Sequence, residues 1–137
     1  MSISKANYED IQNGIENKSI YLIHTLSSVE ESCLIKNTLR SLDEENIINN
    51  LLNLNNKNMN IIIYGKNSSD QSIIIKYNQL LNLGFKNIHI YPGGLFEWLL
   101  LQDIYGSELF QTTNHEKDIL KYKPPKRILN NYLIDNL

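Results

Sequence analysis

The chain has 137 residues, 42% of them hydrophobic, with 13 basic and 15 acidic side chains and a formal charge of −2. That length suits one domain, and the apolar content is too high for a disordered chain. The lone Cys33 excludes a disulfide scaffold, the absence of a basic excess argues against a general nucleic-acid binder, and no run of about 18 apolar residues suggests a membrane span. In chain order, Tyr8, Ile11 and Ile15 fall at i, i+3, i+7 and predict a short helix ending at Gly14 to Asn17. Ser19 to His24 is an almost unbroken apolar run, the pattern of a strand covered on both faces. Residues 25–41 show no clean period and read as loop with room for one helical turn. Asp43 to Leu52 carries an apolar stripe (Ile47, Ile48, Leu51) and predicts a helix capped by Ser41 or Asp43. Asn60 to Tyr64 is a second β-branched strand. It stops at the polar loop Gly65 to Asp70, and Ile73, Ile74, Tyr77, Leu80 and Leu81 then predict a helix over 70–82 closed by Gly84. Asn87 to Tyr91 is a third strand, Pro92-Gly93-Gly94 a turn, and Leu95 to Ile104 a strongly apolar helix.

Strands alternating with helices predict an α/β fold, a three-layer α/β/α arrangement around a central parallel sheet. Ligand sites in such sheets lie at the carboxyl ends of the strands, where both the loop starting at Gly65 and the Pro92–Gly94 turn fall. Residues 1–110 read as the domain and 111–137 as a C-terminal extension. The extension carries Lys117, Lys121, Lys123, Lys126 and Arg127, with Tyr122 and Pro124-Pro125 among them, and ends in an amphipathic stretch from Ile128 to Leu137. Its basic residues either meet an anionic surface or wrap the domain itself.

At this point the second half resembles the rhodanese-like domain family. The order Ile61-Ile-Ile-Tyr-Gly65, a six-residue loop, a helix, Leu83-Gly-Phe-Lys-Asn87, Ile88-His-Ile-Tyr-Pro92 and Gly93-Gly94-Leu-Phe-Glu-Trp98 is similar to that family's strand, active loop, helix, LGF-x-NV, strand and GG-x-x-x-W. The resemblance covers roughly residues 8–105. The first half departs from it: His24 and Leu26 stand where the family's first strand ends in Asp-x-Arg, and Ser32-Cys33-Leu34-Ile35 replaces a Gly-His-Ile segment. The resemblance implies sulfur transfer through a persulfide on a cysteine at the head of the loop, with an Arg at its end. Here those two positions fall on Gly65 and Asp70. Glycine carries no sulfur, and an aspartate repels an anion while being well suited to bind the first N–H groups of a helix. The loop Gly65, Lys66, Asn67, Ser68, Ser69, Asp70 therefore reads as a site without its nucleophile, and the same loss argues against the phosphatases of this fold.

Several residues keep a second reading. Lys66, Ser68 and Ser69, with the loop's backbone N–H groups, are candidate donors to a small anion; the alternative is an ordinary strand-to-helix loop. Cys33 is a candidate substitute nucleophile, against a small buried hydrophobe; Glu30 and Glu31 would raise its pKa. His24 sits near the loop in place of a family aspartate. His24, His89 and His115 have no second ligand at metal-binding spacing, so no metal site is expected. Neither G-x-G-x-x-G nor G-x-x-x-x-G-K-[ST] occurs, so no cofactor is expected. Trp98, Phe96 and Leu99 to Leu101 read as core, as a surface covered by the extension, or as a partner face.

Asn, Ile and Leu each occur 20 times against 11 Lys and 2 Arg, the bias of AT-rich genomes such as those of some protists and large DNA viruses. That excess devalues the glycosylation acceptors at Asn17 and Asn67, and the start MSISKANYED has no leader pattern, so a cytoplasmic location is expected. Three functions follow as expectations. The first is a non-catalytic rhodanese-like module for protein interaction or regulation, with an unidentified protein partner and neither nucleic acid nor membrane. The second is a divergent sulfurtransferase using Cys33, and the third a self-associating structural protein.

Overall fold

The computed structural model describes residues 3–125. Four strands, β1 (Ile20–His24), β2 (Thr38–Leu39), β3 (Asn60–Tyr64) and β4 (Asn87–Tyr91), form one all-parallel sheet in the order β2-β1-β3-β4. Registers pair Leu22 with Thr38 and with Ile62, and Ile62 with His89. Ser4 to Ala6 extends the β4 edge: Ile90 N–H donates to Ser4 O and Ala6 N–H to Ile90 O. Four helices cover the sheet: α1 (Tyr8–Glu16), α2 (Ser41–Asn53), α3 (Ser72–Asn82) and α4 (Gly94–Tyr105).

Side-chain alternation explains the three layers. Successive strand residues point to opposite faces, so Leu22, Ile62 and Tyr64 join one core with Ile11 of α1 and Leu95, Trp98 and Leu99 of α4. Ile23, Ile61 and Ile63 join the other, with Ile48 and Leu51 of α2 and Ile73 and Leu80 of α3. Each fully buried aliphatic side chain contributes roughly 1.5–3 kcal/mol relative to exposure. The central strand β3, buried from Ile61 to Tyr64, is thus a main source of stability.

Local chemistry sets the helix ends. The Asn7 side chain accepts N–H bonds from Glu9 and Asp10, and Asp10 accepts from Asn7 N–H, a capping box that starts α1. At α2 the expected caps are corrected. Arg40 is the N-cap with no side-chain bond, Ser41 is the first helical residue, and its N–H and hydroxyl donate to the Glu31 carboxylate at 2.7 and 2.5 Å. A carboxylate brought from the preceding turn replaces a local cap because it also suits the positive helix end. The segment 25–41 holds the single helical turn that its sequence leaves room for, a 3-10 turn at Ser28–Glu30, and beyond that expectation the short strand β2. Two residues are too few to show periodicity, so the sequence of β2 reads as loop. α3 begins at Ser72 rather than at Asp70, because the loop before it is held in another conformation.

The segment after α4 packs on the same core as the domain. Phe110 and Tyr122 are buried in the α1/α4 core, Thr112 bridges Ile35, and Gln102 donates to Phe110 O at 2.7 Å. Trp98 Nε1 donates to Gln111 O at 3.1 Å. This strap covers part of α4, whose Leu95, Trp98 and Leu99 face inward while Ile104 and Tyr105 stay exposed. The stretch Ile128 to Leu137, with Lys126 and Arg127, lies outside the described residues. Among the described residues no helix is long and apolar enough to cross a membrane.

Candidate functional site

The chain leaves β1 toward β2 on one side and leaves β3 toward β4 on the other. The carboxyl ends of β1 and β3 therefore lie where the connections diverge, the usual position of a ligand crevice in such a sheet. A cleft of about 710 Å³ opens there. Thr25 and Leu26 line it from the end of β1, Lys66, Asn67, Ser69 and Asp70 from the loop after β3, and Leu120, Lys121, Lys123 and Pro125 from the strap.

Backbone bonds from α4 hold the loop. Leu95 N–H donates to Gly65 O at 2.9 Å and Phe96 N–H to Lys66 O at 2.8 Å. These are first-turn amides that have no partner within their own helix. Only glycine serves at 94: its φ is +66°, and a Cβ would lie 2.5 Å from Gly65 O and 2.9 Å from Asn67 N. Asn67 is buried and fixes the loop's middle; its Nδ2 donates to Tyr122 O at 2.8 Å, and its Oδ1 accepts from Ser69 N–H. The strap is thus tied directly to the loop.

Asp70 turns back into the loop. Its Oδ2 accepts from Lys66 N–H at 3.0 Å, and its Oδ1 accepts from Ser72 N–H at 3.0 Å and from the Ser72 hydroxyl at 2.5 Å. Ser72 Oγ also shares a hydrogen bond with Thr25 Oγ1. The expectation that Asp70 binds a first helical N–H thus has a counterpart at Ser72, although the formal N-cap is Gln71. Burial pushes the Asp70 carboxyl up, but the Ser72 hydroxyl, the Lys66 and Ser72 amides and the Lys66 charge outweigh it and hold it below the usual range. Gly65 is the counterpart of this arrangement. A Cβ there would lie 2.4 Å from Asp70 Oδ2, 2.9 Å from its Cγ and 3.0 Å from Thr25 Oγ1. The carboxylate fills the space of a side chain at residue 65.

Of the candidate anion donors, Lys66 directs its ammonium to Glu30 Oε2 at 2.6 Å, while Ser68 and Ser69 are exposed and only Ser69 lines the cleft. His24 is buried, with its ring spent on structure. Its Nδ1 accepts Leu26 N–H at 3.0 Å, which leaves the proton on Nε2 to donate to Glu31 at 2.8 Å. Burial raises the Glu31 carboxyl, yet its bonds from Ser41 and His24 prevail and lower it overall. Cys33 lies in the α1/α4 core and its thiol donates to Asn114 O at 3.3 Å. Its pKa is raised, as expected, but by burial and then Glu116 rather than by Glu30 and Glu31. Sequence reasoning missed Thr25, Glu30, Ser72 and Leu120 as cleft residues, and it singled out Lys121, Lys123 and Pro125 in the extension without placing them at the loop. Only Ser72, a hydroxyl at a helix start, carried a local signal. Among the described residues no three His, Cys, Asp or Glu side chains group as metal ligands.

Comparison with known proteins agrees with this architecture. The family model of the rhodanese-like domain matches residues 12–101, well over half of the chain. No curated protein matches in sequence. Among solved structures, the BH2092 protein of Bacillus halodurans is similar at a TM-score of 0.60 and 15% identity, over 95% of this chain and 89% of that one. The rhodanese-like domain of the Anabaena protein Alr3790, solved by NMR, gives a TM-score of 0.57 and 17% identity, over 92% and 88%. A crystal structure of Alr3790 gives 0.55 and 15%, over 86% and 100%. At such identities the structures speak for the fold, and the family model adds the lineage: the chain belongs to the rhodanese-like domain family.

Proposed function

We propose that this domain is a non-catalytic rhodanese-like module that acts in protein interaction or regulation. One observation carries the reading: the space of a side chain at residue 65 is filled by the Asp70 carboxylate. Sulfur transfer of the family's kind needs a thiolate at that place, which takes sulfur from thiosulfate, releases sulfite, and passes the sulfur to cyanide as thiocyanate. Here the position has no thiol and a negative charge stands in it. Cys33 does not replace it, since a buried thiol held above its ordinary pKa is a poor nucleophile.

The partner is an unidentified protein or a second copy of the chain. Ile104, Tyr105 and Leu109, exposed at the end of α4 and just beyond it, support an apolar contact face. Thiocyanate release from thiosulfate and cyanide is the test, run on wild type, Cys33→Ala and Gly65→Cys/Asp70→Arg. The expectation is no release from the first two. Release from wild type that is lost in Cys33→Ala would overturn the reading in favour of the cysteine. Light scattering over a wide concentration range separates the two kinds of partner, because a strict monomer excludes self-association.

A further inference from the structure

We infer that Asp70 is a built-in plug, an autoinhibitory contact that keeps small oxyanions out of the cleft. The inference rests on the reading of the loop as non-catalytic and adds what closes it. Lys66 N–H, Ser72 N–H and the Ser72 hydroxyl converge on one carboxylate, as they would on a bound oxyanion, but the anion belongs to the chain itself. It lies close against the loop backbone, because Gly65 leaves room for it. The Lys66 ammonium is itself paired with Glu30 at 2.6 Å. A dianion entering the loop would lose these donors to Asp70 and meet two carboxylates.

The same geometry says what removing the plug would do. Lys66, Lys121 and Lys123 line the cleft against Glu30 and Asp70. Without Asp70 the cleft loses one negative charge while Lys66 stays paired with Glu30 and Lys121 with Glu116, and the two amides lose their internal acceptor. The chemical class admitted is a tetrahedral oxyanion small enough for the space of one carboxylate. Thiosulfate and sulfate are suitable probes.

The experiment titrates thiosulfate and sulfate into the 137-residue wild type, Asp70→Ser and Asp70→Asn at neutral pH, following the backbone amides of residues 65–72 by NMR. Asp70→Ser keeps a capping oxygen for α3, and Asp70→Asn keeps the shape without the charge, so both are expected to fold. The expected result is at least about tenfold tighter binding of thiosulfate by Asp70→Ser than by wild type, with the loop amides shifting; tenfold corresponds to an ordinary polar contact. A gain in Asp70→Asn as well would support the charge as the excluding element. Equal affinity in wild type and Asp70→Ser, or no binding by either folded variant, overturns the plug. Thiocyanate release by wild type instead defeats the functional reading, so the two failures are told apart.

Discussion

The loop between β3 and α3 has no room for a methyl group at residue 65. A Cβ there would sit 2.4 Å from Asp70 Oδ2, against about 3.5–4.0 Å for a comfortable non-bonded contact. Gly65→Ala therefore forces a choice. If the carboxylate stays, the strain is that of overpacking, about 1–3 kcal/mol. If it swings out, Lys66 N–H and Ser72 N–H lose their acceptor. Hydrogen bonds to a charged group contribute about 1.5–3 kcal/mol each, but Asp70 is partly exposed and water recovers much of that. The expected loss is about 2–3 kcal/mol. In an Asp70→Ala background the two nearest obstructing atoms are gone and the 3.0 Å approach to Thr25 Oγ1 remains. There Gly65→Ala is expected to cost under about 1 kcal/mol, since alanine also restricts the unfolded chain. A double-mutant cycle measured by urea unfolding reads the difference as a coupling of about 1–3 kcal/mol. Additivity within about 0.5 kcal/mol would refute the account of the loop. Gly94→Ala is the control. It meets backbone rather than the carboxylate and should destabilise equally in both backgrounds.

Four further outcomes are expected. Glu31→Ala leaves the buried Nε2–H of His24 and Ser41 N–H without their acceptor. It should cost about 1–3 kcal/mol in urea unfolding, and an unchanged midpoint would speak against the Glu31 bridge to α2. Tyr122→Phe removes a buried hydroxyl that has no hydrogen-bond partner among the described residues; it should be neutral or stabilising by thermal melting, and a clear loss would show that the hydroxyl has a role. Glu30, Glu31 and Asp70 all have lowered carboxyl pKa values. Their contribution to stability is thus full above the ordinary carboxylate range and lost as pH falls through it toward the lowered folded values. Asp70→Asn should flatten that acid limb, and an identical pH profile would contradict the assignment. Cys33, buried and hydrogen-bonded, should react with a thiol reagent only as fast as the protein opens; rapid labelling of the native protein would contradict its burial.

The functional consequences divide along the same line as the chemistry. The Asp70 carboxylate fills the space of a side chain at residue 65, within the loop that the cleft opens onto. The strap adds to this, because Asn67 ties the loop to Tyr122 and the segment 120–125 forms one wall of the cleft. A partner approaching the carboxyl ends of β1 and β3 would meet strap and loop together.

The amino-acid sequence by itself determined the alternation of strands and helices, because apolar period and β-branched runs are local properties. It marked β1, β3 and β4, all four helices to within a few residues, and the family's order of motifs from Ile61 to Trp98. It also marked the absence of a thiol at residue 65. Tertiary structure alone decided where Asp70 points, that Glu31 rather than Ser41 or Asp43 serves α2, that His24 is spent on a bridge, and that two residues at 38–39 make a strand. Each of these rests on a partner far along the chain or on a turn that places one side chain against another. The clearest case is the pair Gly65 and Asp70. Read singly, they stand where the family resemblance implies a cysteine and an arginine, and only the folded loop makes the one the space that the other occupies.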